Sequence, residues 1–374
     1  MEQTVYFRAL NVDPKPEGAS NSSSGANAPK SAPSGREKLF AFAAVLVPTL
    51  LGCVAIVAVL VHQERLVRDR ETGQWKFQKP PIYLEERRAD FTGHKYLFDE
   101  YLGWRNIPSW SSETRGRPLT INSKGLRDRE YTYERVTGKK RILVLGDSFT
   151  WGYGVGDRAI YTEVVERMLA EEGKDWEIIN TGVSGYGTDQ EYLFLMKEGL
   201  KYKPDVVMLA LYLFNDPDNN CAAIQYHLGK PVFADTNLTT LIPPVLRPRE
   251  PVKYIEEMNP AHITLALVDA IEKTCLENDI RFMVMMFGMY GARPNPEWIN
   301  MWNTVRNGLA QRSARYPLFD LDAAFEGGNY PFIKLIENND DGHWNAYGHE
   351  VVAKLLHRFL RLHEKPIFEG VGAE

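Results

Sequence analysis

The sequence has few cysteines and no concentration of positive charge. Its 374 residues include three cysteines, Cys53, Cys221 and Cys275, and their spacing matches no metal site. The formal net charge is −5, and no basic stripe dominates any region, which argues against a nucleic-acid partner. The composition, 44% hydrophobic and 25% charged, is that of an ordinary globular protein, and the length is long for one domain without clearly requiring two.

Three common catalytic or cofactor motifs are also missing. The stretch from Gly182 to Tyr186 lacks the final glycine of a Gly-x-Ser-x-Gly elbow. The stretch from Gly152 to Asp157 fails the dinucleotide-binding fingerprint at its last position, and no Gly-Lys-Ser/Thr phosphate loop exists.

The amino-terminal part changes character abruptly. Residues 1–38 carry no apolar periodicity and include a Ser-, Ala- and Gly-rich run, so we expect a disordered tail. Residues 39–61 then form an uncharged apolar segment of 23 residues, about 34 Å long as a helix, which is enough for a ~30 Å hydrocarbon core. Pro48 is tolerable in such a helix. We therefore predict a single transmembrane helix over 39–61.

A cleaved signal peptide fits this segment less well. The apolar run is too long, a polar leader of 38 residues precedes it, and the sequence from His62 to Arg65 offers no small-residue cleavage site. Positive charges flank the segment on both sides and leave its orientation open. The prediction that the large domain lies outside the cytoplasm rests instead on the resemblance given below.

Beyond the membrane segment, the chain divides into a preamble and an α/β domain. Residues 62–138 are predicted to form a juxtamembrane spacer followed by a segment of short strands and turns, which we call the preamble. It is rich in aromatic residues, glycine and arginine. From 139 to 365, apolar strands alternate with amphipathic helices, which indicates a parallel sheet with helices on both faces. The predicted strands are 141–146, 176–180, 205–212, 281–287 and 317–320, and the predicted helices are 159–172, 188–201, 260–277, 296–313 and 346–362.

An irregular stretch, residues 217–259, interrupts this alternation. It is dense in Asn, Pro and Thr and directly follows the end of a predicted strand. Long irregular inserts in compact domains are usually functional or disordered. We interpret this one as part of the substrate-side rim.

The first candidate site residue follows the first of these strands. The stretch Arg141–Ser148 (RILVLGDS) predicts a buried strand that ends at Gly146 and leads into a Gly-rich loop. A small nucleophile at the carboxyl end of such a strand lies where open α/β sheets place their ligands, so Ser148 is a candidate nucleophile. The alternative is that Asp147 or Ser148 only caps the following helix.

Three further stretches can supply the rest of an acyl-transfer site. Gly185, in a Gly-rich loop after the second strand, allows a turn that aims a backbone N–H at an oxyanion, and it is otherwise a plain turn residue. Asn215, after the third strand, can donate to the same oxygen or cap its own loop. Asp341 and His343 lie two apart near the carboxyl terminus, so the carboxylate can orient the imidazole as general base, unless they are a solvated surface pair. The other histidines show no comparable setting and are read as surface or packing residues: His62, His94, His227, His262, His349, His357 and His363.

Together and in this order, these stretches resemble the SGNH/GDSL hydrolase family. The resemblance covers roughly residues 139–362 and implies a flavodoxin-like three-layer α/β/α domain with a Ser148–His343–Asp341 site. It further implies an oxyanion held by the Ser148 and Gly185 backbone N–H groups and the Asn215 side chain, with no cofactor and no metal.

Two positions depart from the family pattern. Leu213 stands where the family usually has a glycine. The usual Asp-x-x-His spacing would make Asp340 the partner of His343, whereas the Asp-x-His-Trp form, which gives Asp341, is similar to a membrane-associated branch related to alginate O-acetylation proteins. Asp341 is the predicted partner, and Asp340 stays open.

These observations predict a single-pass, membrane-anchored serine esterase. Its substrate would be a small acyl ester on an envelope carbohydrate or lipid, and its catalytic domain would be extracytoplasmic. One alternative is an O-acyltransferase that passes the acyl group from Ser148 to a sugar hydroxyl. Another is a non-catalytic envelope protein that only binds glycan. Neither the acyl group, the alcohol nor the oligomeric state follows from the sequence.

Overall fold

The computed structural model describes residues 35–62, 66–68, 74–77, 83–85, 95–225, 228–245, 258–291, 295–336 and 342–368. The chain forms two compact units, Met1–Pro80 and Pro81–Glu374. Residues 1–34 of the predicted tail lie outside the described residues.

The described part of the first unit contains one long helix and a short hairpin. Helix α1 (Gly35–His62) begins four residues before the predicted apolar segment, and β1 (Leu66–Arg68) pairs antiparallel with β2 (Trp75–Phe77). The span Phe42–Val61 within α1 is long and apolar enough to cross a membrane, and none of it is buried. A near-terminal helix of this kind is found in membrane anchors and in signal sequences alike.

The second unit contains the remaining elements. Its strands are β3 (Tyr83–Glu85), β4 (Lys95–Asp99), β5 (Gly103–Asn106), β6 (Ser111–Thr114), β7 (Arg117–Thr120), β8 (Lys140–Gly146), β9 (Trp176–Asn180), β10 (Val206–Tyr212), β11 (Ile224–Gln225), β12 (Leu228–Gly229), β13 (Val232–Phe233), β14 (Leu241–Ile242), β15 (Arg281–Phe287) and β16 (Leu318–Asp320). Its helices are α2 (Ser148–Trp151), α3 (Tyr161–Glu171), α4 (Thr188–Lys197), α5 (Asp216–Asn219), α6 (Pro260–Glu277), α7 (Pro296–Arg312), α8 (Leu321–Gly327), α9 (Phe332–Leu335), α10 (Ala346–Leu362) and α11 (Glu364–Phe368).

Five parallel strands form the central sheet in the order β9-β8-β10-β15-β16. Counted from β8, this is the order 2-1-3-4-5 of flavodoxin-like folds, so the predicted fold class is confirmed. The strand order reverses between β8 and β10, the two central neighbours. In open α/β sheets, ligands bind outside the carboxyl ends of the strands at that point. The topology therefore places the ends of β8 and β10 at the position of a binding site.

The three layers follow from side-chain alternation along the strands. In β8, Leu143 and Leu145 face one core cluster while Ile142 and Val144 face the other, because successive residues of a strand point to opposite faces. Helices α4, α6 and α7 contribute to the first cluster, and α3 and α10 to the second. Both faces of the sheet are thus covered, which explains the continuous apolar runs in its strands.

Two smaller β regions accompany this core. The strands β3, β4 and β5 form one antiparallel sheet, and β6 pairs with β7. The described parts of the 217–259 insert contain α5 and two short hairpins, β11-β12 and β13-β14. The buried Trp104 on β5 and Lys230 in the insert show that both regions send side chains into the interior.

Candidate active site

The strand β8 delivers Ser148 to the carboxyl edge of the sheet. The chain leaves the strand at Gly146, where a Cβ would lie 2.2 Å from Thr150 Oγ1, so only glycine fits this turn. Asp147 then caps helix α2 by accepting the Phe149 N–H at 2.9 Å. The capping interpretation is thus correct for Asp147. Ser148, as the first residue of α2, keeps its hydroxyl available for another role.

Ser148 and His343 are in direct contact across 195 positions of the chain. Their Oγ and Nε2 atoms are 2.7 Å apart, and both residues are buried, with 4% and 7% of their surface exposed. His343 lies in the segment before α10, whose first turn is capped by Asn345. The imidazole stacks on Phe149 at a centroid distance of 4.7 Å and lies 4.6 Å from Tyr153. These rings restrict the imidazole to an orientation that reaches Ser148.

Asn215 and Ser148 meet at one oxygen of Asp147. Asp147 Oδ2 is 3.5 Å from Ser148 Oγ and 3.4 Å from Asn215 Nδ2. Burial raises the pKa of Asp147 to about 6, although the Phe149 N–H, the nearby His343 and the Asn215 amide each act to lower it. The Asn215 side chain makes no capping hydrogen bond to α5, which begins at the next residue. Its Nδ2 lies instead near Asp147, directly after the end of β8, and its role as an oxyanion donor stays a prediction.

Gly185 occupies a tight turn after β9. The Tyr186 N–H donates to the Val183 carbonyl at 3.1 Å, which closes a four-residue turn with Ser184 and Gly185 at its centre. Gly185 has a φ of +80°, whereas Ser184 is not among the residues with positive φ. This combination defines a type II turn, which requires glycine at its third position. The loop borders the nucleophile strand, because the Val183 N–H donates to the Gly146 carbonyl at 3.1 Å.

The predicted acid of the triad lies outside the described residues. Both Asp341 and its alternative Asp340 belong to the stretch 337–341, so their relation to His343 stays a prediction. Among the described residues, no group of three or more His, Cys, Asp or Glu side chains could hold a metal ion.

A second buried histidine sits close to the first in sequence but differs from it in chemistry. His349, on α10, is 1% exposed, and its Nδ1 accepts the Tyr161 N–H at 3.2 Å. Desolvation, with smaller contributions from Arg127 and His343, lowers the pKa of His349 to about 3. His349 is therefore a neutral packing residue, in line with its sequence interpretation.

Sequence reasoning missed an arginine that holds the loop after the nucleophile. The fully buried Arg127 donates to the Gly152 and Val155 carbonyls at 2.6 Å each and to the Trp151 carbonyl at 3.1 Å. It also pairs with Asp157 at 3.1 Å. Its only sequence signal is its place in a Gly- and Asn-rich turn, which does not reveal partners some 25 residues away.

A buried acidic cluster beneath the site was missed as well. It consists of Asp147, Asp189, Glu191 and Asp216, each no more than 1% exposed, together with Lys230 from the insert. Lys230 Nζ pairs with Asp189 and also donates to the Asn219 carbonyl at 2.7 Å. Within the described part of the chain, neither carboxyl oxygen of Glu191 has a hydrogen-bond partner. Burial, and then the neighbouring carboxyls, raise the pKa of Glu191 and of Asp216 well above their ordinary values.

An aromatic pocket of about 270 Å³ lies beside the segment that carries His343. Gly342 and Trp344, the neighbours of His343, line it together with Phe149 and residues at the ends of β10 and β15. Eight of its lining residues are aromatic: Phe149, Tyr212, Phe214, Phe287, Tyr290, Phe325, Phe332 and Trp344. Asp322, the one carboxyl among the described residues that line it, accepts the Gly288 and Met289 N–H groups at 3.1 and 2.8 Å.

Comparison with known proteins gives a family match and a set of similar folds. The sequence profile of the GDSL-like lipase/acylhydrolase family matches residues 144–351. Solved structures similar to this chain include TesA, at 15% identity over 60% of this chain and 99% of that one, with a TM-score of 0.41. They also include a lipase/acylhydrolase from Enterococcus faecalis (19% identity, 60% and 96%, TM-score 0.39) and the acetyl xylan esterase AlAXEase (17%, 58% and 97%, TM-score 0.40). No curated protein matches the chain.

Proposed function

The chain belongs to the GDSL-like lipase/acylhydrolase family, and from that premise we propose that it is a serine esterase with Ser148 as nucleophile and His343 as general base. The contact of 2.7 Å between Ser148 Oγ and His343 Nε2 carries the proposal. The two residues are brought together at the strand-order reversal of the sheet, where a ligand-binding site is expected.

Each step of the reaction has a residue to perform it. His343 Nε2 takes the Ser148 proton while Oγ forms a bond to the ester carbon, and the carbonyl oxygen becomes an oxyanion. The Ser148 and Gly185 N–H groups and Asn215 Nδ2 donate to that oxygen. When the intermediate collapses, the alkoxide leaves with the proton from His343. Water then attacks the acyl-enzyme by the same route, which releases the acid and restores Ser148.

Asp341 is the proposed partner of the second imidazole nitrogen. A carboxylate there selects the tautomer with Nε2 unprotonated and stabilises the imidazolium that forms. The contact between Asn215 Nδ2 and Asp147 is compatible with the oxyanion role, since an amide nitrogen carries two hydrogens.

The aromatic pocket supports an uncharged group on one arm of the ester. None of the described residues that line it is a cation, and both oxygens of Asp322 accept backbone N–H groups, which favours an uncharged substituent. Aromatic side chains bind apolar groups and the faces of sugar rings. Together with α1, this supports an acyl ester of an envelope carbohydrate or lipid as substrate.

We also propose that α1 anchors the protein and that the catalytic domain is extracytoplasmic. The span of 20 residues, Phe42–Val61, supports an anchor because signal-peptide apolar regions are shorter, about 7–15 residues. Purified mature protein that retains residues 35–62 would support this proposal. A reporter that is active only in the cytoplasm, fused to the carboxyl terminus, tests the orientation. Activity of this reporter would overturn the extracytoplasmic placement of the catalytic domain.

Labelling with a fluorophosphonate tests the esterase proposal on the full-length chain in detergent. We expect one adduct, on Ser148, that is absent in Ser148→Ala and in His343→Ala. His349→Gln is the matched control: it removes a buried histidine of the same segment, keeps a hydrogen-bond acceptor for Tyr161, and should label like wild type. Asp341→Asn and Asp340→Asn, compared side by side, show which carboxylate supports His343.

The products then distinguish the candidate functions. Free acid from an acylated sugar, with no change when a sugar acceptor is added, indicates hydrolysis, whereas transfer to the acceptor indicates an O-acyltransferase. A folded wild-type chain that takes no label, and binds glycan equally well as Ser148→Ala, would replace the esterase proposal with a binding function.

A further inference from the structure

A tryptophan from the preamble contacts the turn that contains Gly185. Trp104, on β5, is fully buried, and its Nε1–H donates to the Ser184 carbonyl at 3.2 Å. The Tyr186 hydroxyl donates in return to the Trp104 carbonyl at 2.5 Å, and the two rings pack edge to face at 5.7 Å. Gln190, at the start of α4, donates to the neighbouring Leu102 carbonyl at 2.7 Å. Trp104 thus contacts both the central peptide and the last residue of the Gly185 turn.

The bond from Trp104 acts on the peptide group that carries the Gly185 N–H. The Ser184 carbonyl and the Gly185 amide belong to one planar trans peptide, so the C=O and N–H bonds point in opposite directions. Because Trp104 fixes the direction of the carbonyl, it fixes the direction of the N–H as well. Donation to the carbonyl also polarises the peptide and strengthens its N–H as a donor.

The Ser184–Gly185 peptide is the central peptide of the turn, and it can adopt two opposite orientations. Type I and type II turns differ mainly in the orientation of the central peptide, and glycine at the third position makes both accessible. Rotation of the Ser184–Gly185 peptide toward the type I form would turn the Gly185 N–H away from its present direction. It would also break the bond from Trp104. The indole therefore stabilises one of two available orientations.

The Gly185 N–H is fixed in direction but makes no hydrogen bond to the described residues. Gly185 is buried, and none of the described residues accepts its N–H. A buried N–H group normally has an acceptor, so one that is fixed in direction and unpaired is suited to a ligand oxygen. We propose that Trp104 is a positioning residue that keeps the Gly185 N–H in the oxyanion-binding orientation, an inference that rests on the esterase proposed above.

The consequence is that a segment outside the family match completes the active site. Trp104 precedes the matched region, residues 144–351, by 40 positions. The active site would then require β5 as well as the strands that bear its reacting groups.

The test replaces the indole by a ring that cannot donate. Trp104→Phe keeps an aromatic ring in the core and removes the Nε1–H. We expect kcat, expressed per fluorophosphonate-titrated Ser148, to fall about tenfold with KM unchanged, since loss of an oxyanion donor outright costs about 10²–10³ in kcat. Affinity for a boronic acid that forms a tetrahedral adduct with Ser148 should fall by a similar factor.

Two further variants separate positioning from packing. Trp176→Phe makes the same exchange at a buried site on β9 that contacts Phe368, and we expect kcat per titrated site to stay within about twofold of wild type. Tyr186→Phe removes only the hydroxyl that holds the Trp104 backbone and should give a smaller loss of kcat in the same direction as Trp104→Phe.

The outcomes distinguish this inference from the esterase proposal. Unlabelled wild-type protein would defeat the esterase proposal itself. Labelled and active protein in which Trp104→Phe lowers only the number of titratable sites, or raises KM at constant kcat, would show that Trp104 serves folding or substrate binding and would overturn the positioning role.

Discussion

The two sides of Ser148 are built from opposite kinds of residue. On the His343 side, Phe149 and Tyr153 pack against the imidazole, and Phe149 and Trp344 also line the aromatic pocket. On the Asn215 side lies the buried acidic cluster, with Lys230 as the cation that pairs with Asp189. Both sides are buried, and among the described residues the aromatic rings lie on one side and the four carboxyl groups on the other.

This difference separates two ways of fixing a catalytic group. The aromatic side restricts His343 by shape, so removing one ring should mainly alter geometry. The acidic side depends on pairing and protonation, because an unpaired charge in a buried site is strongly unfavourable. Substitutions on the acidic side should therefore affect folding most, and those on the aromatic side should affect turnover most.

The largest effect is expected for Lys230→Met. Removal of the ammonium leaves Asp189 buried without its partner, which typically costs about 3–5 kcal/mol of unfolding free energy. Denaturant titration of the full-length chain in detergent measures the loss. Lys203→Met is the matched control, since Lys203 and Glu134 form an exposed pair at 2.7 Å that should contribute less than about 1 kcal/mol. Equal losses in the two variants would contradict the importance of the buried pair, whereas adding Asp189→Leu to Lys230→Met should recover stability.

A smaller effect on stability and a clear one on activity are expected for Phe149→Leu. The volume change should cost less than about 1.5 kcal/mol, but the ring stacked on His343 is lost. We expect kcat to fall about tenfold, because small displacements of a general base are costly. Phe282→Leu makes the same change near the start of β15 and should leave turnover per folded molecule unchanged. Similar turnover in the two variants would show that the stacking does not orient His343.

The smallest effect is expected in the pH dependence of stability. The folded-state pKa values of Asp147, Glu191 and Asp216 are raised, so the unfolded chain releases these protons first. Their contribution to the unfolding free energy is then complete at low pH and declines as the pH rises through the folded values, about 6 for Asp147. His349 acts in the opposite direction, because its lowered pKa removes stability as the pH falls.

Glu191→Gln isolates one carboxyl of the cluster. The neutral amide should reduce the loss of unfolding free energy on the alkaline side, which pH-dependent denaturation of wild type and variant would reveal. Glu134→Gln, at an exposed position, should leave the slope unchanged. A steeper loss in Glu191→Gln would mean that Glu191 is ionised and paired in the folded chain.

The sheet and most of its helices were predictable from local sequence. Strands β9 and β15 and helices α6 and α10 begin and end at the predicted residues, because each is an uninterrupted periodic run with Asn, Pro or Gly nearby. The short helices α8 and α9 were missed, since segments of seven and four residues show too little periodicity. The Ser148–His343 contact was anticipated from the order of motifs.

The supporting contacts were not predictable in the same way. Trp104, Arg127 and Lys230 contact residues about 25 to 80 positions away, and the sequence around each of them does not indicate the partner. Lys230, between Gly229 and Pro231, looks like an ordinary loop lysine until the fold brings Asp189 to it. Pairing across such distances depends on the tertiary arrangement, which a motif does not encode.

The position of strand β8 has a practical consequence for where this protein can be cut. The family match begins at Val144, in the middle of a strand that spans Lys140–Gly146. A fragment trimmed to that match would lose four of the seven residues of β8, together with Trp104 and Arg127. The smallest fragment that keeps these hydrogen bonds therefore includes the preamble. A homologue that shares only the matched region would need other contacts to hold the same loops.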